Sequence, residues 1–355
     1  MEAVVSAADA LRGFAGKRVL VTGHTGFKGS WLGLWLTRLG AVVTGYSDCI
    51  PTDPSHFRAL DLHLDDRRGD VGNPAAVDKV IAETKPDLIF HLAAQALVRR
   101  AYSDPMQTWQ TNTLGTLAVL EAARRHGVGA VLVATTDKVY RNDESGRRYS
   151  EEDELGGSDP YSASKACVEL MCRSYRESFV RDGSMLVATV RAGNVIGGGD
   201  WAEDRLLPDL MRAAFGGSPA VIRNPQSTRP WQHVLDVLAG YLMIGARLMA
   251  GDRDGADAWN LGPREQASIR VQDLLDAVSA QMPQLKIELQ PDASGRHESG
   301  LLQLDSTKAM TRLAWLPRWE GEMIERTIAW YRAFHEEGRP ISADQLGEYE
   351  AGWTQ

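Results

Sequence analysis

The chain has 355 residues, enough for about two domains at roughly 150 residues each, with a core that needs neither disulfides nor a structural metal. Hydrophobic residues make up 43% and charged residues 24%, a globular composition that excludes a disordered or fibrous protein. The net charge of −8 argues against nucleic acid or an anionic membrane surface as a partner.

The first half of the chain alternates between two kinds of segment. β-Branched runs predict strands at residues 18–22, 41–46, 87–92, 130–135 and 185–191. Helical patterns predict helices at residues 29–39, 74–83, 105–126 and 161–180. Such alternation indicates βαβ units, so we predict an α/β fold with a doubly wound parallel sheet of the Rossmann type.

After Asn194 this alternation stops. Residues 197–231 are rich in Gly, Pro, Arg and Trp and predict loop with one short helix at 208–215. Further on we predict a helix at 271–281, a strand at 285–289 and a helix at 322–335. The predicted domains are a dinucleotide-binding domain at 1–195, to which segments near 232–262 return, and a smaller α/β substrate lobe mainly at 196–340. Residues 341–355 are predicted to be a surface tail.

The first predicted strand leads directly into a glycine-rich loop and then an apolar helix. The GxxGxxG spacing of this loop is the fingerprint of a dinucleotide site, because glycines allow the pyrophosphate to approach the positive end of the helix. The residues predicted to bind the cofactor here are Gly23, Thr25, Gly26, Phe27, Lys28 and Gly29.

Other segments are predicted to contact the same cofactor. Ser47 stands where a ribose-binding acid is expected and Asp48 follows it; no arginine adjoins them to hold a 2′-phosphate, so NAD is favoured over NADP. Asp70 and Val71 are predicted to lie on the adenine side, although Asp70 is also explained as a simple loop acid. The small residues of Leu92-Ala93-Ala94 would pass under the pyrophosphate, and they would equally suit tight packing.

A catalytic set is predicted at one strand end and one helix start. Thr136 follows the strand at 130–135, and Tyr161 and Lys165 are one helical turn apart, so their side chains share a face. The lysine ammonium lowers the tyrosine pKa by its charge, which makes Tyr161 a base for an alcohol. Thr136 could share that proton, and we expect Tyr161 and Lys165 to contact the cofactor as well.

These motifs together resemble the extended short-chain dehydrogenase/reductase family, whose members act on nucleotide sugars, over about residues 17–334. Longer matching stretches are Gly23 to Leu32, His91 to Gln95, Arg191 to Trp201, Arg229 to Val234 and Arg296-His297-Glu298. The pair Asp137-Lys138 distinguishes branches of the family. Its 4-epimerases carry small, non-acidic residues there, whereas its dehydratases place an acid first and, in most, a Glu base second.

The resemblance implies a lyase from the branch that dehydrates CDP-glucose. Such an enzyme oxidises C4 with bound NAD, eliminates water across C5 and C6, and returns the hydride to C6. Asp137 would protonate the leaving C6 hydroxyl. Lys138 would be a neutral base for the C5 proton, a charged stabiliser of the enolate, or only an ion partner of Asp137. The alternatives are another nucleotide-sugar 4,6-dehydratase, a 4-epimerase, or a non-catalytic NAD-binding regulator.

The substrate end is expected in the loop-rich second half. Arginines suit diphosphate contacts and tryptophans offer stacking surfaces. The predicted substrate-binding residues are Gln95, Asn194, Trp201, Arg205, Arg223, Arg229, Gln232, Arg296 and His297, with Trp231 as a second stacking surface.

The remaining expectations concern metals, location and assembly. Cys49, Cys167 and Cys172 form no metal-ligand spacing, so no metal is predicted, and their sparse number is typical of a reducing cytoplasm. Residues 1–14 contain no signal peptide pattern, and no segment is apolar enough to predict a membrane span. As in the resembling family, the helices at 105–126 and 161–180 could pair between copies in a homodimer or higher homo-oligomer.

Overall fold

The computed structural model describes residues 11–179, 184–264, 269–290 and 301–353. The strands of the described part are β1 (Arg18–Thr22), β2 (Val42–Ser47), β3 (Asp65–Arg68), β4 (Leu88–His91), β5 (Ala130–Ala134), β6 (Arg148–Tyr149), β7 (Leu186–Ala192), β8 (Val195–Ile196), β9 (Ala220–Ile222), β10 (Thr228–Arg229), β11 (Gln232–His233), β12 (Ala258–Leu261), β13 (Ile269–Arg270), β14 (Ile287–Leu289) and β15 (Gln303–Leu304). Seven of them form one parallel sheet in the order β12-β7-β5-β4-β1-β2-β3.

Helices cover both faces of this sheet. They are α1 (Phe27–Arg38), α2 (His56–Leu60), α3 (Pro74–Thr84), α4 (Val98–Ser103), α5 (Pro105–Trp109), α6 (Gly115–Arg125), α7 (Pro160–Ser178), α8 (Leu206–Gly216), α9 (Val234–Met249), α10 (Val271–Gln281), α11 (Thr307–Arg312), α12 (Met323–Glu337) and α13 (Ser342–Ala351). Val19 and Val21 of β1 join the core formed with α1 and α9, whereas Leu20 joins the core formed with α3, α6 and α7. This alternation buries both faces and confirms the predicted doubly wound fold.

Sequence reasoning located five of the seven strands of the sheet; it placed no strand at β12, and it missed β3. Its sequence is Asp65-Asp66-Arg67-Arg68, with no apolar residue. β3 pairs with β2 at the outer edge of the sheet, where charged side chains face solvent and discourage pairing with another chain. A strand of this kind carries no hydrophobic signal.

The predicted helix at 105–126 is interrupted. Asp104 caps its start, accepting a hydrogen bond from the backbone N of Gln107 at 3.0 Å, and Pro105 follows at the first helical position. Between α5 and α6, however, residues Gln110–Leu114 form a π-helical turn. This turn carries the buried Asn112, whose side chain bonds to the backbone of Gln95 and to the Ser164 hydroxyl.

The second half forms a second lobe from β9, β14, α8, α10 and α12, and residues 234–261, which lie between these elements in the sequence, return to the sheet. In the lobe, β9 pairs with β14 in parallel and α8, α10 and α12 contribute to the core. β12 pairs with β7, and α9 packs on the sheet, so residues 234–261 lie in the same layers as the first half. The helix predicted at 271–281 is observed with those bounds.

The prediction of a surface tail at 341–355 is wrong over its described part. Residues Ser342–Ala351 form α13, in which Leu346 and Tyr349 are buried. The Tyr349 hydroxyl donates to Asp236 Oδ1 at 2.8 Å, and its ring lies edge-on to Trp35 at 5.6 Å. Leu346 and Tyr349, three residues apart, place one face of this mostly polar helix against the core. So short an apolar pattern does not stand out from the polar composition of the segment. No helix in the described ranges is both long and apolar enough to cross a bilayer.

Candidate active site

The glycine-rich loop connects β1 to α1, and other backbone atoms lie so close to it that two of its glycines have no room for a side chain. Gly23 has a φ of +74°, and a Cβ there would lie 2.7 Å from the backbone N of Ala93. A Cβ on Gly29 would lie 2.1 Å from the carbonyl oxygen of Gly23. Any side chain at these positions would collide with backbone. Because α1 begins at Phe27, the unpaired N–H groups of its first turn are available to an anion, so the loop fits a dinucleotide pyrophosphate.

The expected ribose site at the end of β2 is organised differently from the prediction. The Ser47 hydroxyl is buried, 2.9 Å from His24 Nδ1 and 3.4 Å from the backbone N of Thr25, so it holds the glycine-rich loop. Asp48, one residue later, is exposed. No arginine adjoins Ser47 and Asp48 in the sequence, but Arg68 pairs in register with Ser47 across β2 and β3. Its guanidinium is bound by Asp66 at 2.6 Å.

The other expected cofactor contacts lie at the same carboxyl edge of the sheet. Asp70 and Val71 follow β3; Asp70 is exposed and accepts a hydrogen bond from the Gly72 backbone, and Val71 is buried. Residues 92–94 follow β4, and the Ala93 backbone N donates to the Thr22 hydroxyl at 3.2 Å. This contact fixes the close approach of residue 93 to Gly23.

Three of the predicted catalytic residues meet where β5 ends. The Thr136 hydroxyl donates to Asp137 Oδ1 at 3.0 Å and is hydrogen-bonded to Tyr161. Asp137 is 1% exposed, and its Oδ2 has no hydrogen-bond partner among the described residues. Burial raises the pKa of Tyr161 to about 12, while the hydrogen bond with Thr136 and the charge of Arg205 oppose that rise. This arrangement places a phenol, a hydroxyl and a buried carboxyl side by side.

Two lysines flank this set in different environments. Lys165 is 4% exposed and its ammonium donates to the carbonyl oxygen of Ala134 at 3.0 Å. Burial lowers the pKa of Lys165 to about 8, and the negative charge of Glu169 opposes that fall. Lys138 is partly exposed, and its ammonium lies 3.9 Å from Asp137 Oδ1. Lys165 therefore lies inside the site, whereas Lys138 lies at its rim.

A second cationic pair approaches from the glycine-rich loop and the second lobe. Burial and the nearby charges of Arg205 and Lys165 lower the pKa of Lys28 to about 8. Arg205 forms an ion pair with Asp200 at 3.1 Å and lies close enough to Tyr161 for their charges to interact. The structure thus brings Lys28 and Arg205 together with the catalytic set and gives the site two cations for an anionic ligand.

Two predicted substrate ligands are used by the chain itself. The Gln95 side chain accepts from the backbone N of Leu97 and donates to its carbonyl and to Thr108, so the prediction that it faces a ligand is corrected to a loop-holding role. The Gln232 amide donates to the Leu261 carbonyl at 2.8 Å in the core. Its Oε1 has no partner among the described residues. Asn194 is partly exposed just beyond β7.

Trp201 and Trp231, which were predicted to be stacking surfaces, are both buried in the structure. These indoles are only 5% and 4% exposed, and Trp201 packs against Tyr331 and other aromatic residues of the second lobe. Arg223 pairs with Asp204 at 3.3 Å and Arg229 donates to the Thr228 carbonyl, which places both on the second lobe. Arg296 and His297 lie outside the described residues.

One buried residue escaped sequence reasoning although a signal for it exists. Glu169 lies one further turn along α7, so Tyr161, Lys165 and Glu169 occupy one helical face. It binds Arg191 at 2.8 Å in the core between α7 and β7. An acid at that spacing on an otherwise buried face predicts an internal partner.

Comparison with known proteins identifies close relatives. The model of the family described as NAD dependent epimerase/dehydratase matches residues 19–262. The chain is 43% identical over 328 residues to CDP-glucose 4,6-dehydratase of Salmonella typhimurium, covering 90% of this chain and 91% of the relative. It is 30% identical to dTDP-glucose 4,6-dehydratase of Streptomyces antibioticus, covering 88% and 92%. The solved structure of the epimerase Mth375 from Methanothermobacter thermautotrophicus superposes with a TM-score of 0.81 at 26% identity, covering 93% and 95%.

Proposed function

Because the chain belongs to the NAD dependent epimerase/dehydratase family, we propose that it is a lyase that converts CDP-D-glucose to CDP-4-keto-6-deoxy-D-glucose. The 43% identical Salmonella relative supports the substrate. The observation that carries the reaction class is the buried Asp137 carboxyl, which lies beside Thr136 and has one oxygen unpartnered among the described residues. A hydride transfer alone needs no such acid, whereas loss of a hydroxyl as water does.

The described residues fit NAD as the cofactor. The backbone cradle at Gly23 and Gly29 leaves no room for side chains and lies at the start of α1, as a pyrophosphate site requires. Asp48 is exposed at the end of β2 and could bind a ribose hydroxyl. When bound, NAD supplies a hydride acceptor for C4 and gives the hydride back at C6.

For the oxidation at C4, Tyr161 takes the hydroxyl proton. Its phenol must ionise in a buried position, and the ammonium of Lys165 one turn away favours the phenolate. Thr136 is hydrogen-bonded to Tyr161 and can orient the same substrate hydroxyl. These three side chains therefore set the orientation of the hexose and the direction of the first proton transfer.

For the elimination, Asp137 and Lys138 act as a pair. The C4 ketone acidifies the C5 hydrogen, Lys138 in its neutral form takes that proton, and Asp137 gives its own proton to the departing C6 hydroxyl. The pair then consists of an ammonium and a carboxylate, and these groups lie 3.9 Å apart in the structure. Attraction between the two new charges favours the products of this step.

The substrate diphosphate needs cations near the catalytic set. Lys28 and Arg205 lie there, and Arg223 and Arg229 lie further along the second lobe. We infer that Arg205 binds the diphosphate, since a guanidinium makes paired hydrogen bonds to phosphate oxygens. Asn194, beyond β7, is a further candidate for this contact.

The activity is tested by incubating the protein with CDP-glucose and following the absorbance that 4-keto-6-deoxy sugars develop in alkali. We expect a strong signal with CDP-glucose and weaker signals with the thymidine, uridine and guanosine counterparts. The Asp137→Asn variant should lose product formation by about a hundredfold or more while still oxidising C4, because only the elimination needs the acid. Unchanged product formation in that variant would remove Asp137 from the mechanism, and no product from any nucleotide-glucose would refute the dehydratase.

We further propose that the protein is a cytoplasmic homodimer or higher homo-oligomer. Met106, Leu114 and Leu170 on α5, the π-helical turn and α7 are more than half exposed, as is Phe179 at the end of α7. Apolar side chains on neighbouring helices are typical of a contact between copies. Light scattering should report at least two chains per particle, and a monomer at micromolar concentration would contradict this assembly.

A further inference from the structure

Glu169 is a buried carboxylate that is not one of the proposed catalytic residues. It connects the helix and the strand end that carry those residues. Glu169 on α7 accepts hydrogen bonds from the Thr135 hydroxyl at 2.5 Å and the Thr189 hydroxyl at 2.8 Å. Its Oε2 also accepts from Arg191 Nη2 at 2.8 Å. One side chain thus joins the helix that carries Tyr161 to the end of β5 and to the neighbouring strand β7.

Arg191 extends this network away from the active site. Its Nη1 donates to the Tyr140 hydroxyl at 2.8 Å and to the Glu151 carbonyl at 3.2 Å. Burial alone would raise the pKa of Glu169, but the charge of Arg191 and the hydrogen bonds to Glu169 hold that pKa below its usual value. Glu169 is therefore a carboxylate, and it lies one turn beyond Lys165.

We propose that Glu169 is a positioning residue of the reaction proposed above: it keeps the Lys165 ammonium charged and fixes the strand end that carries Thr136 and Asp137 against α7. The hydrogen bond to Thr135 acts directly before Thr136, and Lys165 donates to the carbonyl of Ala134, the residue before Thr135. The two contacts hold adjacent residues, Ala134 and Thr135, so Lys165 and Glu169 together fix the end of β5 against α7.

The charge of Glu169 matters because Lys28 and His91, which also lie near Lys165, do not stabilise an ammonium. Lys28 approaches from the glycine-rich loop and repels it. His91 at the end of β4 is neutral, since burial and the charge of Lys165 lower its pKa to about 3. The titratable and charged groups that surround the ammonium are Lys28, His91, Tyr161, Glu169, Cys172 and Arg191. Glu169 is the anion of this group.

The experiment measures the rate of C4 oxidation against pH, from the near-ultraviolet absorbance of the reduced nicotinamide in single turnovers of the holoenzyme with CDP-glucose. In the Glu169→Gln variant, we expect the alkaline limb to move about one pH unit or more toward acid, because Lys165 loses its proton at lower pH without the carboxylate. Glu177→Gln is the control, since Glu177 is exposed near the end of the same helix. Its alkaline limb should not move.

A second variant distinguishes charge from folding. Arg191→Met removes the cation that is paired with Glu169, so more of the carboxylate's charge acts on Lys165. The alkaline limb of the Arg191→Met profile should therefore move in the opposite direction, toward higher pH. This result can be measured even if Glu169→Gln does not fold. Rates that fall in either variant with no displacement of the limb, or limbs displaced in the same direction in both, would overturn the proposal. Failure of the wild-type protein to oxidise C4 would instead refute the proposed function itself.

Discussion

Replacing Lys165 by Met removes an ammonium while keeping most of an unbranched side chain in a buried position. Burial raises the pKa of Tyr161 to about 12, so forming its phenolate at pH 7 costs about 7 kcal/mol, at about 1.36 kcal/mol per pKa unit. Residues four apart on a helix have Cβ atoms roughly 5–6 Å apart, where a charge pair contributes about 3 kcal/mol at an effective dielectric constant of about 20. Because the ammonium is present when that pKa applies, removing it would add about 3 kcal/mol to this cost.

We therefore expect Lys165→Met to slow C4 oxidation by about a hundredfold at pH 7, since about 3 kcal/mol corresponds to about two powers of ten. The acid limb of the rate should move up by about two pH units, so that much of the rate returns at high pH. The assay is stopped-flow absorbance of the reduced nicotinamide in a single turnover. The control is Lys79→Met, because Lys79 is exposed. A loss of less than about threefold, or an equal loss at every pH, would refute the reasoning.

Two further changes test the cradle and the buried acid of the fold. Gly23→Ala should weaken NAD binding by at least about tenfold, because its Cβ would meet the backbone of Ala93. The control is Gly217→Ala, which has a similar positive φ but no atom within 4 Å of its Cβ and should leave the affinity unchanged. Equal NAD affinities in the two variants would contradict the proposed role of the glycine-rich loop. Burial raises the pKa of Asp236 to about 6, so its protonated form favours the folded state. Wild-type stability, measured relative to that of Asp236→Asn, should therefore fall by about 2 kcal/mol between pH 4 and pH 7. An equal stability difference between the two proteins at both pH values would show that the carboxyl does not titrate on folding.

Buried strands and capped helices could be predicted from the sequence because their signals are local. The β-branched runs of β1, β5 and β7 lie within one or two residues of their predicted bounds, and Asp104 and Asp159, each followed by a proline, cap helices. β3 and α13 could not be found in this way. A strand made only of Asp and Arg has no apolar period, and α13 depends on where Leu346 and Tyr349 find a partner surface.

The candidate site likewise contains residues that could be predicted from the sequence and residues that could not. Thr136, Tyr161 and Lys165 were predictable because a strand end and an i, i+4 spacing fix their relation, and the structure brings them together. Which polar residues the protein uses for itself could not be read from spacing. Gln95 looked like a ligand residue, but its amide is taken up by residues of the neighbouring loop. Side chains that serve the fold and those that serve a ligand differ only in their three-dimensional partners.

The transfer of deuterium within a single sugar tests the central claim most directly. CDP-glucose carrying deuterium at C4 should be converted, with no added NAD, to a 4-keto-6-deoxy product whose deuterium is at C6, as nuclear magnetic resonance of the methyl group would report. This result requires a phenolate base, an acid for the C6 hydroxyl and a cofactor that stays bound through the reaction. Deuterium that remains at C4 in an epimerised sugar, or product that forms without deuterium at C6, would contradict the account.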